Sequence, residues 1–133
     1  MDKAQALHNF WSGFSWLAID EQSAYDEKSA ETLDGTDRYI TYEVLTGNLG
    51  DALQLSASLW HRSTSWETIT KKADEIANYI GYGGVMLKVD GGLLWVKLGQ
   101  PFAQRMAPSE YADASFDTRR ILLNIEVDYL TAT

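Results

Sequence analysis

The residues that could do chemistry are few and scattered. His8 and His61 have no Cys or His partner at ligand spacing, and a catalytic zinc usually takes three protein ligands. No Gly-x-Ser-x-Gly elbow accompanies either histidine, so a serine nucleophile has no local signature. Gly81-Tyr82-Gly83-Gly84 follows a helical pattern instead of opening one. It therefore lacks the helix N-terminus that makes a glycine loop bind phosphate. Asp34-Gly35-Thr36-Asp37 is too short and too poor in oxygen ligands to be a calcium loop. Trp60, Trp66 and Trp95, with Glu43 and Asp90, are the material for a sugar-binding face or a glycosidase. Nothing in the sequence fixes the carboxylate separation that such an enzyme needs. The reading is a non-enzymatic protein with no catalytic, cofactor-binding or metal-binding residues.

Trp60 says more. It lies in phase with Gln54, Ser56 and Ser58, opposite Leu53, Leu55 and Leu59. Tyr42, Ile40 and Val44 fall opposite Tyr39 and Leu45. Apolar groups on both faces of a sheet suggest an interface, where aromatic side chains are enriched; the alternative is that a helix or loop of the same chain covers them. The candidate interface residues are Tyr42 and Trp60, with Phe102, Met106 and Tyr111 from a late loop.

These positions must be held by regular elements. Leu7, Phe10, Trp11, Phe14 and Leu17 recur at helical steps, so residues 2–18 read as an amphipathic helix with Asp2 at its positive end. Residues 20–37 read as an exposed acidic connection, with a short strand near Ala24-Tyr25 and a turn at Asp34-Gly35. Two alternating strands follow, residues 38–46 and 52–61, joined by turn chemistry at 48–51 into an antiparallel hairpin. Thr64 and Glu67 match a capping box ahead of a helix over 65–80, whose stripe is Ile69, Ala73, Ile76, Ala77 and Ile80 and whose cap is Gly81. Asp90-Gly91-Gly92 joins short strands at Val85–Val89 and Leu93–Leu98. Residues 100–117, with Pro101 and Pro108, read as a long loop, and residues 119–130 as the longest strand. The fold class is α+β: an antiparallel sheet with two helices packed on one face, in one domain spanning residues 1–133.

Composition bounds the rest. With 133 residues, roughly two-thirds of the unfolded surface can be buried. No cysteine is present, which excludes disulfides and thiolate metal sites. The net charge of −8 argues against nucleic acid as a specific ligand, because phosphate binding is driven by clustered cations. No apolar run approaches bilayer length, and no signal peptide is evident at the start.

The run Arg38-Tyr39-Ile40-Thr41-Tyr42-Glu43, the segment from Leu53 to Thr64 with Trp60 and Arg62, and Ile76-Ala77 before the glycine-rich turn carry a resemblance. With the late loop Pro101-Phe102-Ala103-Gln104-Arg105-Met106, they resemble the tail terminator and tail-completion proteins of long-tailed bacteriophages and prophages. The resemblance implies an α+β subunit that forms a six-membered ring at the head–tail junction. It also implies the tail tube protein and a head-completion protein as partners, and a place in the virion tail after assembly in the bacterial cytoplasm. Another neck or minor capsid role and a small-molecule or carbohydrate-binding domain are the alternatives. The connection at 20–37 is longer and more acidic than the family pattern, so no interface positions are carried over there.

Overall fold

The computed structural model describes residues 2–20, 37–43, 53–106 and 118–131. Helix α1 spans Lys3–Ser12 and begins where Asp2 caps it, the Asp2 carboxylate accepting from the Gln5 N–H at 2.7 Å. The helix is shorter than its apolar pattern predicts. It stops at Gly13, and Ser15 takes a left-handed φ of 67° that no helix continues through. Phe14, Trp16 and Ala18 are then buried at alternate positions, and strand β1 runs Leu17–Asp20. Phe14 belongs to both periodicities, which is why the helical one hid the strand.

Strands β2 (Arg38–Tyr42) and β3 (Leu53–Arg62) pair antiparallel, with Tyr39 opposite Trp60 and Ile40 opposite Leu59. Helix α2 (Glu67–Ile80) buries Ile69, Ala73, Ile76 and Ile80 and ends at Gly81, whose φ of 63° suits a residue without Cβ. The capping box is not formed. Ser65 Oγ accepts from the Glu67 N–H at 3.1 Å and Ser63 Oγ accepts from the Ser65 N–H at 3.1 Å, so two short hydroxyl turns lead into a helix that begins at Glu67. Glu67 bonds forward to Lys71 at 2.9 Å instead of back to the cap.

Strands β4 (Val85–Val89) and β5 (Gly92–Met106) form a tight hairpin in which Val89 pairs with Gly92 and Gly91 takes a φ of 83°. Residues 100–106 belong to β5 and are not loop, contrary to the sequence expectation. A bulge between Leu98 and Ala103 absorbs Pro101, and pairing with β6 (Thr118–Thr131) then resumes. Proline is tolerated in a strand at such bulges. Inside the bulge Gly99 runs against Asn124, where a Cβ would meet the Asn124 carbonyl oxygen at 2.7 Å. Asn124 in turn donates to the Pro101 carbonyl at 2.9 Å. The expected turns at 34–35 and 48–51, the strand near 24–25 and the loop at 107–117 lie outside the described residues.

The sheet order is β1-β2-β3-β6-β5-β4. All described neighbours are antiparallel except β1 and β2, which run parallel, a departure from the all-antiparallel expectation that follows from β1 itself being unforeseen. Helix α1 touches both edge strands, β1 and β4, so the sheet curls into a half-barrel around the helices. Trp11, Leu7, Ile69 and Ile76 from the helices meet Ile40, Leu59, Leu94, Leu123 and Ile125 from the sheet, all almost fully buried. Each such side chain contributes about 1.5–3 kcal/mol. No helix among the described residues is long and apolar enough to cross a membrane.

Because Ser65, not Thr64, serves the first turn of α2, Ser65→Ala should cost about 1 kcal/mol. Thr64→Ala should stay within about 0.5 kcal/mol of the parent. Urea melts of the two variants check this; the reverse order would mean that the capping box forms.

Candidate functional site

The helices cover one face of the sheet, and residues of opposite strand parity populate the other. At the β2–β3–β6 crossing, Tyr39 pairs with Trp60 and Trp60 with Arg120. The Tyr39 and Trp60 rings stack at 5.9 Å, tilted by only 17°. Trp60 Nε1 donates to Thr41 Oγ1 at 3.1 Å, which fixes the indole. The Arg120 guanidinium lies over the same indole at 5.0 Å, and its Nε donates to Ser58 Oγ at 3.1 Å. Arg120 is only 7% exposed. A buried cation is costly unless held by hydrogen bonds and ring contacts, so this cluster is a rigid, built feature. Met106 pairs with Arg120 from β5 and extends the patch.

Of the residues singled out from sequence, Trp60 and Met106 therefore meet on the face away from the helices, through Arg120. Tyr42 does not join them. It is 3% exposed beneath α1, where its Oη and His8 Nδ1 lie 2.7 Å apart and its ring stacks on Trp11. The sequence reading put Tyr42 on the exposed side with Trp60. The two have the same parity, but on antiparallel partners, where the register of Tyr39 with Trp60 decides the face. Phe102 is half-buried at the bulge and packs on the core. Tyr111 lies outside the described residues. Tyr39 and Arg120 were missed; only the adjacent pair Arg119-Arg120 hinted that one arginine faces each side.

The tryptophans do not converge on a sugar site. Trp66 lies on the helix side between Arg105 at 4.7 Å and Arg119 at 5.4 Å. Trp95 bonds to the Gly83 carbonyl at 2.8 Å and pairs with Asp128, eight residues along β6 from Arg120, about 26 Å away. Glu43 is engaged by the Ser56 N–H and hydroxyl, each at 2.6 Å. His8 and His61 are likewise apart. His61 packs beside Trp16, and burial, then the Arg38 charge, holds it below its ordinary value, while Asp37 pulls the other way. Among the described residues no three His, Cys, Asp or Glu side chains gather at metal-binding range.

A separate groove of about 500 Å³ opens between α1, α2 and β4. Phe10, Phe14, Tyr79 and Met86 line it, with Glu75 and Lys88 among the polar residues.

Burial, aided by the Asp20 charge, pushes the Tyr42 phenol up to about 12 from 10.0. A raised phenol favours the folded state below the unfolded value, and that contribution is lost as pH climbs from about 10 to about 12. Ultraviolet titration should show a late ionisation near that upper value that Tyr42→Phe removes. A titration complete by about pH 11 would contradict the buried placement. Comparison with protein-family models, with curated proteins and with solved structures finds no match, so the functional reading rests on this geometry and on the sequence resemblance.

Proposed function

We propose that this protein is a structural subunit that works by assembly through the face of its curled sheet away from the helices. In the finer reading it is a tail terminator or tail-completion subunit of a long-tailed phage or prophage. It would form a ring at the head–tail junction between the tail tube protein and a head-completion protein. The observation that carries the assembly reading is the Tyr39–Trp60–Arg120 stack on the face away from the helices. Tryptophan, tyrosine and arginine are the residue types that dominate interface energetics, especially when pre-organised. A rigid stack also loses little side-chain entropy on docking. The phage identity is supported by the sequence resemblance alone.

A ring uses heterologous contacts, in which one patch meets a different patch on the next subunit. The net charge of −8 suits a lumen through which DNA passes without sticking, the reverse of phosphate binding by clustered cations. Another neck or minor capsid position would use the same face. The groove beside α1 favours a second reading, a small-molecule-binding domain, because its size and aromatic lining suit an apolar ligand.

Removing the gene from the phage that carries it tests the proposal. The expected result is tails of irregular length that fail to join heads, with six copies on the last tube ring in the parent particle. Normal, head-joined tails without the protein would overturn it.

A further inference from the structure

Strand β4 ends the sheet, and among the described residues β5 is its strand neighbour. The two-residue turn Asp90-Gly91 decides which backbone groups of β4 that neighbour uses. In such a hairpin the flanking pair, here Val89 and Gly92, exchanges both hydrogen bonds, and bonded and non-bonded pairs then alternate. Leu87 with Leu94 and Val85 with Val96 are therefore the other bonded pairs. Met86 and Lys88 turn their N–H and C=O groups the other way, out of the sheet. Neither residue's backbone has a partner there among the described residues.

The groove between α1, α2 and β4 borders this edge, with Met86, Leu87 and Lys88 along one wall. Phe10 and Phe14 are buried in it, and the Tyr79 ring meets them at 6.2 and 5.5 Å while staying 60% exposed. The strand's alternation separates two surroundings. Leu87 packs on the core from the helix side; Met86 and Lys88 have the opposite parity and are exposed. A strand laid along β4 would alternate in the same way. Its residue beside Leu87 would face the groove, and its residue beside Lys88 would share the face of that lysine. Lys71, Lys72 and Lys97 all pair with carboxylates, whereas Lys88 has no such partner among the described residues. An acidic residue across from it would complete a cross-strand ion pair.

We infer that β4 is a docking edge for an extended segment of a partner protein, added to the sheet as one more strand. The segment carries large apolar side chains towards the groove and acidic side chains towards Lys88. Main-chain hydrogen bonds give such an addition its affinity, and the alternate side chains give its specificity. The groove alone would suit an apolar small molecule; the unpaired amides beside it call for a peptide. In the sheet order β5 and β6 separate β4 from β3, which carries Trp60, so this edge and the Tyr39–Trp60–Arg120 stack are distinct surfaces.

The probe is the peptide acetyl-Thr-Leu-Glu-Leu-Glu-Leu-Thr-amide, titrated into the nitrogen-15 full-length protein. At saturation it should slow amide exchange at Met86 and Lys88 by about tenfold or more. Two further peptides carry N-methyl groups, one on every leucine and the other on every glutamate. Each modification blocks one edge of the peptide, because alternate N–H groups of a strand point to opposite sides. One of the two should bind like the parent peptide and the other about tenfold more weakly or worse. Lys88→Glu, an exposed change, should weaken the parent peptide about fivefold. Equal binding of the two N-methyl peptides would mean that the groove takes apolar side chains without backbone pairing, and would overturn the inference. Unslowed exchange at Met86 and Lys88 would overturn it as well. So would unchanged binding by Lys88→Glu, which would leave the lysine as a guard against strand pairing.

Discussion

The register of β3 against β6 is the constraint on which the rest of the molecule depends. Ten residue pairs, from Leu53 with Val127 to Arg62 with Thr118, fix which side chains face the helices. On the covered face Leu55, Ala57 and Leu59 meet Ile125, Leu123 and Ile121; on the other, Ser58 and Trp60 meet Leu122 and Arg120. A slip of one residue would turn Arg120 towards the core and the isoleucines towards water. The loss of several apolar side chains at about 1.5–3 kcal/mol each makes that alternative untenable for a domain this size. The pairing therefore builds the core and the arginine-backed aromatic patch in one step.

The helices and the curl follow from the same constraint. A sheet apolar on one face must cover it, and α2 contributes a stripe at helical spacing for that purpose. Helix α1 closes the half-barrel by touching both edge strands. Its Trp11 stacks on Tyr42, and His8 holds the Tyr42 hydroxyl, so an aromatic that looked available for docking is used to lock the helix down. Lys72 of α2 donates to the Phe14 carbonyl at 2.8 Å and ties the second helix to the turn after the first. The aromatic contacts of Phe10 and Phe14 with Tyr79 join the helices directly.

Much of this architecture can be read from local patterns. The α2 stripe, the Gly81 end, the Asp90-Gly91 hairpin and the inward face of β3 all reflect short-range chemistry that a sequence states openly. Where two patterns share residues the sequence is ambiguous: Phe14 ends a helical stripe and begins an alternating one, so β1 was hidden. Pro101 reads as a loop because a bulge leaves no local signature of its own; its partner Asn124 is far along the chain. The stack on the face away from the helices was half legible. Trp60 stands out among polar neighbours, but Tyr39 and Arg120 join it only through pairing of distant strands, and one sequence does not encode that register visibly.

The proposal makes the face away from the helices a contact surface whose stiffness comes from below. Ser58 and Thr41 pin Arg120 and Trp60, and the covered face holds the strands in place. A stiff, amphipathic patch is suited to a neighbour that brings an apolar surface. A side-chain-resolution electron cryomicroscopy reconstruction of the assembled protein tests this most directly. The account expects Trp60 and Tyr39 in van der Waals contact with an adjoining subunit. An assembled ring with Trp60 facing solvent would contradict it.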